Sequence, residues 1–293
     1  MLRKYWAIVA LLCLLLCACE PIPPSLPGEI GQTLQWQQFA YRIEADHTVT
    51  VLLYRGEETD VTVPATIEGL PVKAVGDHAF HGKQTLQSVT LEQGIEHVGN
   101  SAFNQCPALV EVNLPSTLKS IGNSAFNRCI NLPAIALPQG LQQIGDLAFL
   151  LCEKLADITF PQGDVRIGGR AFDETAWLKA QSGHVVVGNV YLRYRGDQAQ
   201  LQLPQGIEHI AGGAFFECKT PVHIVIPEGV ADIGDVAFYG CDALERIDFP
   251  ASLTAIGSEG FIGCAKLHYT APSGSWAKQY ADSIGIPPFN DAQ

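Results

Sequence analysis

The sequence is poor in positive charge, and Met1 is its only methionine. Its 18 lysines and arginines stand against 30 aspartates and glutamates, which gives a formal net charge of −12. The basic residues do not form a cluster, so the sequence offers no electrostatic surface for DNA, RNA or anionic lipid headgroups. We therefore predict a protein without a nucleic-acid partner.

The sequence also lacks an apolar run long enough to cross a bilayer, which takes about 20 residues. The run Ala7–Leu16 follows Arg3 and Lys4 and has the length of a signal-peptide core. It ends in Leu16-Cys17-Ala18-Cys19, which resembles the bacterial lipobox. The resemblance implies a lipid on Cys19 and an exported, membrane-anchored, extracytoplasmic protein. An ordinary secretory signal with incidental cysteines is the alternative.

Motifs for catalysis, cofactors and metals are missing as well. The sequence contains no nucleophile elbow, no Gly-rich dinucleotide fingerprint and no phosphate-binding loop. Its eight histidines are scattered, and His78 and His81 are not part of an HExxH motif. The sequence therefore predicts a protein that is not an enzyme and that holds no cofactor or metal.

What the sequence has in quantity is repetition. The segment Asn113–Ile135 returns in similar form from Ala136 and again from Val225. Phenylalanines recur 23 residues apart at positions 80, 103, 126, 149 and 172, and again at 215, 238 and 261. A period of 20–29 residues with leucine-like spacing is typical of a leucine-rich-repeat solenoid. We predict an α/β-type repeat solenoid, a right-handed β-rich superhelix with short helices or turns and about eight 23-residue repeats.

Each position of the repeat has a physical reason. Apolar residues alternate with polar ones before a proline, as at Ile158 and Phe160, which predicts a short strand with one buried face. The proline lacks the N–H that a parallel ladder would use and therefore ends the strand. The pair Ile121-Gly122 is expected to form a corner at which glycine takes a positive φ. Ala-Phe then places a ring on a tight turn or short helix.

The chain divides into segments around this repeat. Period-two alternation from Phe39 to Arg55 predicts a β-hairpin, and Gly188-Asn189 predicts the turn of a second one. Each hairpin leads into a Tyr-Arg-Gly sequence ten residues before a repeat proline. The predicted segments are a lipoprotein signal peptide (1–19), a proline-rich linker (20–38), a capping hairpin (39–60), a first repeat array (61–181), a hairpin insert (182–201), a second array (202–270) and a C-terminal cap (271–293).

Six cysteines follow the repeat in two runs of three. Six cysteines in an exported protein could form disulfides, but in-register side chains run parallel, and each run of three would leave one cysteine unpaired. We interpret them as a ladder of free thiols that act as small apolar residues. The members are Cys106, Cys129, Cys152, Cys218, Cys241 and Cys264.

The motif LxxIxLPxxLxxIGxxAFxxC, the hairpin insert and the ending around GSWAKQYA resemble the BspA-like leucine-rich repeat of bacterial surface proteins. The resemblance covers about Phe39 to Pro288 and implies a surface lipoprotein that binds a protein or glycan, with adhesion as one role. A structural envelope or spacer protein without a ligand is the alternative.

Residues four and two positions before the repeat proline vary, whereas the buried ones do not. We predict that they form a concave binding face, with these members: Ser88, Thr90, Glu111, Asn113, Asp157, Thr159, Gln200, Gln202, His223, Arg246 and Asp248.

Overall fold

The computed structural model describes residues 28–290. The predicted signal peptide, the predicted lipid-attachment residue Cys19 and the first part of the predicted linker lie outside these residues. The described chain winds as a right-handed, β-rich solenoid of about ten turns. None of the helices within residues 28–290 is long and apolar enough to cross a membrane.

Three antiparallel strands open the solenoid. They are β1 (Thr33–Trp36), β2 (Phe39–Ile43) and β3 (Val49–Tyr54), and β2 lies between the other two. The structure thus contains the hairpin expected from the alternation after Phe39. Its second strand, β3, pairs in parallel with β6 (Leu70–Val75) of the first coil and covers it, as expected of a cap that shields the apolar end of a stack.

Strand β1 lies within 20–38, the range predicted as a proline-rich linker, so the linker prediction is wrong for Thr33–Trp36. The side chains of Leu34 and Trp36 pack against the core, and the Trp36 ring lies 6.2 Å from that of Phe39. The alternation of buried and exposed side chains therefore begins one strand earlier than we expected, at β1. Two side chains, Leu34 and Trp36, are enough to hold this short strand against the core.

Each coil contributes two short parallel strands, which stack on those of the next coil into two ladders. The proline-side ladder contains the strands before the repeat proline: β4 (Asp60–Val63), β7 (Ser88–Leu91), β9 (Glu111–Asn113), β11 (Ala134–Ala136), β13 (Asp157–Thr159), β17 (Gln200–Gln202), β19 (His223–Val225), β21 (Arg246–Asp248) and β23 (His268–Thr270). It is divided into groups of three, two and four hydrogen-bonded strands, with breaks after β9 and β13.

The glycine-side ladder contains the strands that end at or next to the Ile-Gly corner. It begins with β3 and continues through β6 (Leu70–Val75), β8 (His97–Val98), β10 (Ser120–Ile121), β12 (Gln143–Ile144), β14 (Arg166–Ile167), β16 (Val190–Arg195), β18 (His209–Ile210), β20 (Asp232–Ile233) and β22 (Ala255–Ile256). A two-residue strand, β5 (Thr66–Ile67), pairs antiparallel with β6. The ladder is continuous except between β14 and β16.

A column of stacked phenylalanine rings runs through the coil interior. Phe126 is fully buried, and its ring lies 5.1 Å from that of Phe103 and 5.3 Å from that of Phe149, with interplanar angles of 6° and 4°. The Ala-Phe pair lies in a turn, and the helices described in residues 28–290 lie outside the regular coils. One coil alone leaves both faces of its ring uncovered, so the coils stabilise one another.

The glycine of the Ile-Gly corner does not take a positive φ, which corrects our expectation for Gly122. Glycine is required because coils approach closely there: a Cβ on Gly122 would lie 2.6 Å from the carbonyl carbon of Gly99. The positive φ falls two residues later, at Ser124 and its equivalent Ser101. A non-glycine residue in this conformation is uncommon and is held there by hydrogen bonds to the next coil.

The residues that follow this corner form a third line along the solenoid, which we call the corner row. Its members are Asp77, Asn100, Asn123, Asp146, Gly169, Gly212, Asp235 and Ser258. The side-chain oxygen of one member accepts a hydrogen bond from the backbone N–H of the next, as in the 2.8 Å bond from Asn123 N–H to Asn100 Oδ1. These bonds connect successive coils in addition to the two ladders.

The six described repeat cysteines are free thiols, which confirms our interpretation. In five of them the Sγ atom donates to the carbonyl oxygen of the phenylalanine 26 residues earlier, as in the 3.2 Å contact from Cys129 to Phe103. Burial raises the pKa of the Cys106 thiol to about 12. The Cys106 thiol is therefore neutral at neutral pH, and five of the six thiols are bonded to a carbonyl of an earlier coil.

The break in the repeat is a second hairpin, of β15 (Gly183–Val187) and β16, joined by the expected two-residue turn. A short helix, α1 (Ala176–Lys179), precedes it, and the side chain of the N-cap residue Thr175 accepts a hydrogen bond from Leu178 N–H. The N–H of Tyr194 donates to Ala214 O, just as that of Tyr54 donates to Ala79 O. The two Tyr-Arg-Gly sequences therefore have the same role, which is to open an array.

The C-terminal cap consists of α2 (Trp276–Ser283), which begins at Ser275, and of the segment after it. Ala277 and Ala281 of α2 are fully buried against the last coils. Beyond the helix, Phe289 N–H donates to Tyr269 O, and Tyr269 N–H donates to Pro287 O. This segment thereby covers the outer edge of β23, which would otherwise be an open strand edge.

Candidate binding surface

The structure brings the predicted binding residues together in two rows on the outer face of the proline-side ladder. They occupy the first and third places of their strands, and the middle residue points inward. Parallel pairing places Ser88 opposite Glu111 and Thr90 opposite Asn113. The breaks in the ladder divide these rows into three sections.

The first section is held by hydrogen bonds among its own members. The hydroxyl of Ser88 donates to Asp60 Oδ1 at 2.6 Å, and this bond helps to lower the pKa of Asp60. The side-chain amide of Asn113 donates to Glu111 Oε1 at 2.9 Å and to Thr90 Oγ1 at 3.3 Å. These groups therefore already have partners within the chain.

The last section is a denser network around Asp248. Its carboxylate accepts from Arg246 at 2.8 Å and from Thr270 at 2.5 Å, and it lies 2.8 Å from His223 Nε2. Burial opposes ionisation of Asp248, but these three partners together hold its pKa below the usual value. The guanidinium of Arg246 also lies 4.3 Å from the ring centre of Phe289, so this network is tied to the C-terminal cap.

The central section is open. Asp157 and Thr159 are exposed, and their side chains make no hydrogen bond to any other residue between 28 and 290. Gln202, on β17 at the start of the last section, is likewise exposed and makes no side-chain hydrogen bond within these residues. Ala134 and Ala136, directly opposite Asp157 and Thr159, are exposed small residues that leave space above the strands. The predicted face thus contains one stretch whose polar groups have no partner within the described chain.

A second feature lies on the glycine-side ladder, where we predicted no site. Where β14 and β16 separate, a hollow of about 510 Å³ opens between the two arrays. Coils on both sides line it, and none of the eleven predicted residues does. Its polar lining includes Asp146, Arg166, His209 and Asp235.

The sequence contains a signal for this hollow that we overlooked. The corner row consists of aspartate, asparagine or serine except at Gly169 and Gly212, which are the two members on either side of the insert. The 43-residue spacing between Phe172 and Phe215 concealed that these glycines are neighbours. In the structure, Arg170 N–H donates to Gly212 O, so the corner row passes directly across the insert.

Other arrangements for chemistry are few. His209 Nδ1 lies 2.6 Å from Asp232 Oδ2 in a half-buried pair. In the part of the chain that the structure describes, no three His, Cys, Asp or Glu side chains converge to hold a metal ion.

The repeat geometry agrees with the match to a family model. The BspA-type leucine-rich-repeat model matches residues 60–181 and 187–279, in six copies. The chain belongs to this family. The BspA-type match omits residues 182–186, which include most of β15, the one strand of the insert that runs antiparallel to the ladder. Comparison with curated proteins gave no match.

Several solved bacterial leucine-rich-repeat structures are similar to this BspA-type chain. A leucine-rich-repeat protein of T. pallidum is 24% identical, with 88% of this chain and 100% of that chain covered and a TM-score of 0.44. The pneumococcal vaccine antigen PcpA is 18% identical, with coverages of 83% and 82% and a TM-score of 0.47. A leucine-rich cell-surface protein of Faecalibacterium prausnitzii is 20% identical, with coverages of 89% and 99% and a TM-score of 0.35.

Proposed function

We propose that the protein is a binding module displayed on the bacterial cell surface, where it recognises a partner protein through the proline-side ladder. A lipid on Cys19 holds it to the membrane. Membership of the BspA-type family supports a surface role. The open central section of the ladder supports recognition at that face.

The observation that carries the proposal is the contrast between the sections of the face. At both ends, polar side chains such as Ser88 and Asp248 are bonded to neighbours in the chain. In the centre, Asp157 and Thr159 keep their hydrogen-bonding capacity for a partner, as does Gln202 on β17, the first strand of the last section. Small residues beside them make room for a protruding side chain.

The paired strands hold these central groups in fixed positions. Strands β11 and β13 are paired in parallel, and the side chains of Ile135 and Ile158 between the exposed residues point toward the core. A partner therefore meets side chains whose backbone positions are already fixed. Binding to such a preorganised surface loses less conformational entropy than binding to a mobile loop.

The test replaces Glu111, Asp157 and Thr159 together by alanine. We expect the variant to capture no partner from envelope and host-matrix fractions that the unchanged protein captures, with its melting temperature preserved. The control is the double variant Glu153→Ala and Lys154→Ala, on an exposed turn outside the ladder, which should capture as the unchanged protein does. Equal capture by all three proteins would contradict recognition through this face.

The same experiment separates binding from a purely structural role, because a spacer protein should enrich no partner from either fraction. The lipid anchor has its own test. Changing Cys19 to serine should move the protein from the membrane fraction to the soluble fraction. A Cys19→Ser protein that still sediments with membranes would contradict lipidation at this residue.

A further inference from the structure

We propose that the hollow between the two arrays is a subsite for the side-chain amide of an asparagine or glutamine in a partner polypeptide. This inference rests on the proposed function, in that it assumes a protein partner. It concerns the glycine-side ladder, and it is independent of which groups on the proline-side ladder make contact.

The corner row shows what this line of the solenoid requires. Up to the hollow, the backbone N–H of each member after Asp77 donates to the side-chain oxygen of the preceding member: Asn100 to Asp77 at 2.7 Å, Asp146 to Asn123 at 2.8 Å and Gly169 to Asp146 at 2.6 Å. The pattern resumes after the hollow. There, Ser258 N–H donates to Asp235 Oδ1 at 2.6 Å.

Two members of the row break this pattern. Gly169 and Gly212 have no side chain, so the N–H groups of the members that follow them, Gly212 and Asp235, have no acceptor among residues 28–290. Both residues line the hollow, and Gly212 is buried. A buried N–H without a partner costs about 1–3 kcal/mol.

The chain cannot supply the missing acceptors itself. A Cβ on Gly169 would lie 2.9 Å from Gly212 Cα, and a Cβ on Gly212 would lie 2.9 Å from Asp235 O. Glycine is therefore needed at both positions for the arrays to meet. The vacant positions in the row can be filled only by a group from outside the chain.

The chemistry of the surroundings favours an amide. Neighbouring N–H groups of the row are about one strand spacing, roughly 4.8 Å, apart. If one carbonyl oxygen lay about 2.9 Å from both nitrogens, the N···O···N angle would be about 110°. This is close to the angle between the two lone pairs of a carbonyl oxygen. The amide nitrogen would then donate to the carboxylates of Asp146 or Asp235. Asn100 is a precedent within the row, because its Nδ2 lies 3.4 Å from Asp77 Oδ2.

Other ligand groups fit less well. A carboxylate would meet both the guanidinium of Arg166 and the carboxylates of Asp146 and Asp235, and it has no N–H to donate to those acids. An aliphatic group would leave both N–H groups of the row without an acceptor. The acetamido group of an amino sugar carries the same amide. However, the hollow contains no phenylalanine, tyrosine or tryptophan on which a sugar ring could stack. The lining thus favours a polypeptide side chain.

The test follows the backbone amide resonances of purified, isotope-labelled protein during titration with blocked tripeptides. Acetyl-Gly-Asn-Gly-amide should shift the Gly212 and Asp235 resonances saturably. The resonances of Asn100 and Ser258, whose N–H groups are bonded within the chain and which do not line the hollow, should remain in place. The matched probe is acetyl-Gly-Leu-Gly-amide, which has the same backbone and a side chain of similar shape and should cause no such shift.

Two variants make the test sharper. Asp146→Asn keeps an oxygen for Gly169 N–H but removes a charged acceptor from the hollow, so it should weaken asparagine-peptide binding about tenfold. Asp77→Asn, the same change at the far end of the corner row, should leave binding unchanged. Equal weakening by both variants would contradict the proposal.

The remaining outcomes are also decisive. No shift at Gly212 and Asp235, or equal shifts with the leucine peptide, would contradict an amide subsite. A stronger response to N-acetylglucosamine than to the asparagine peptide would contradict the polypeptide source. Partner capture through Asp157 and Thr159 is measured separately, so the subsite can fail while the proposed function stands.

Discussion

The stacked phenylalanine column predicts that one ring in the middle of the solenoid supports two coils at once. Replacing Phe126 by alanine removes a fully buried side chain, a change that typically costs about 3–5 kcal/mol. It also removes two parallel ring contacts, to Phe103 and Phe149, each worth about 0.5–1.5 kcal/mol beyond the buried area. We therefore expect a loss in the upper part of that range, about 4–5 kcal/mol in the free energy of unfolding, measured by urea denaturation.

The control for this change lies at the end of the corresponding stack of phenylalanine rings in the second array. Phe261 is only half-buried and has one parallel ring contact, to Phe238 at 5.2 Å. Phe261→Ala should therefore cost clearly less, about 2–3 kcal/mol. Equal losses for the two variants, or a loss below about 2 kcal/mol for Phe126→Ala, would refute the idea that each ring is stabilised from both sides.

Three further predictions follow from the same contacts. Asn123→Ala should destabilise the fold by about 1 kcal/mol in urea unfolding, because Asp146 N–H loses its acceptor, whereas Asn123→Asp should cost less. The pKa of the Cys106 thiol is raised by burial to about 12, so this thiol should resist iodoacetamide at pH 8 until the protein is unfolded. Its contribution to the free energy of unfolding should decline as the pH rises from about 9 toward 12. Asp248 has a lowered pKa, so its contribution to the free energy of unfolding should be lost below about pH 4. The difference in melting temperature between the unchanged protein and Asp248→Asn should persist at pH 7 and shrink below pH 4.

The periodic part of the fold could be predicted because its determinants are local. Phe126 and its equivalents occur at a constant spacing, and a ring of this size can be buried only if the coils stack in register. The hairpin turn at Gly188-Asn189 was equally readable, since two residues of this type between alternating runs favour a tight turn. In both cases a single pattern within one coil or one hairpin was sufficient.

What could not be predicted depends on contacts between coils. The expectation of a positive φ at Gly122 was wrong because a sequence does not distinguish a glycine needed for backbone conformation from one needed for close approach. The hollow was missed for a related reason: Gly169 and Gly212 are far apart in the chain and become neighbours only when the insert is placed outside the stack. The division of the predicted face into bonded ends and an open centre likewise depends on which strands pair.

The corner row also has a consequence for the length of this protein. Bonds along the row join each coil only to the coil before it and the coil after it. Removing residues 123–145, one full period, would bring Asn100 next to Asp146, Phe103 next to Phe149 and the Cys152 thiol next to the Phe103 carbonyl. Every donor would meet an acceptor of the same kind. The number of coils is therefore not imposed by the fold, and the length of the solenoid can change in whole-coil increments while both caps are retained.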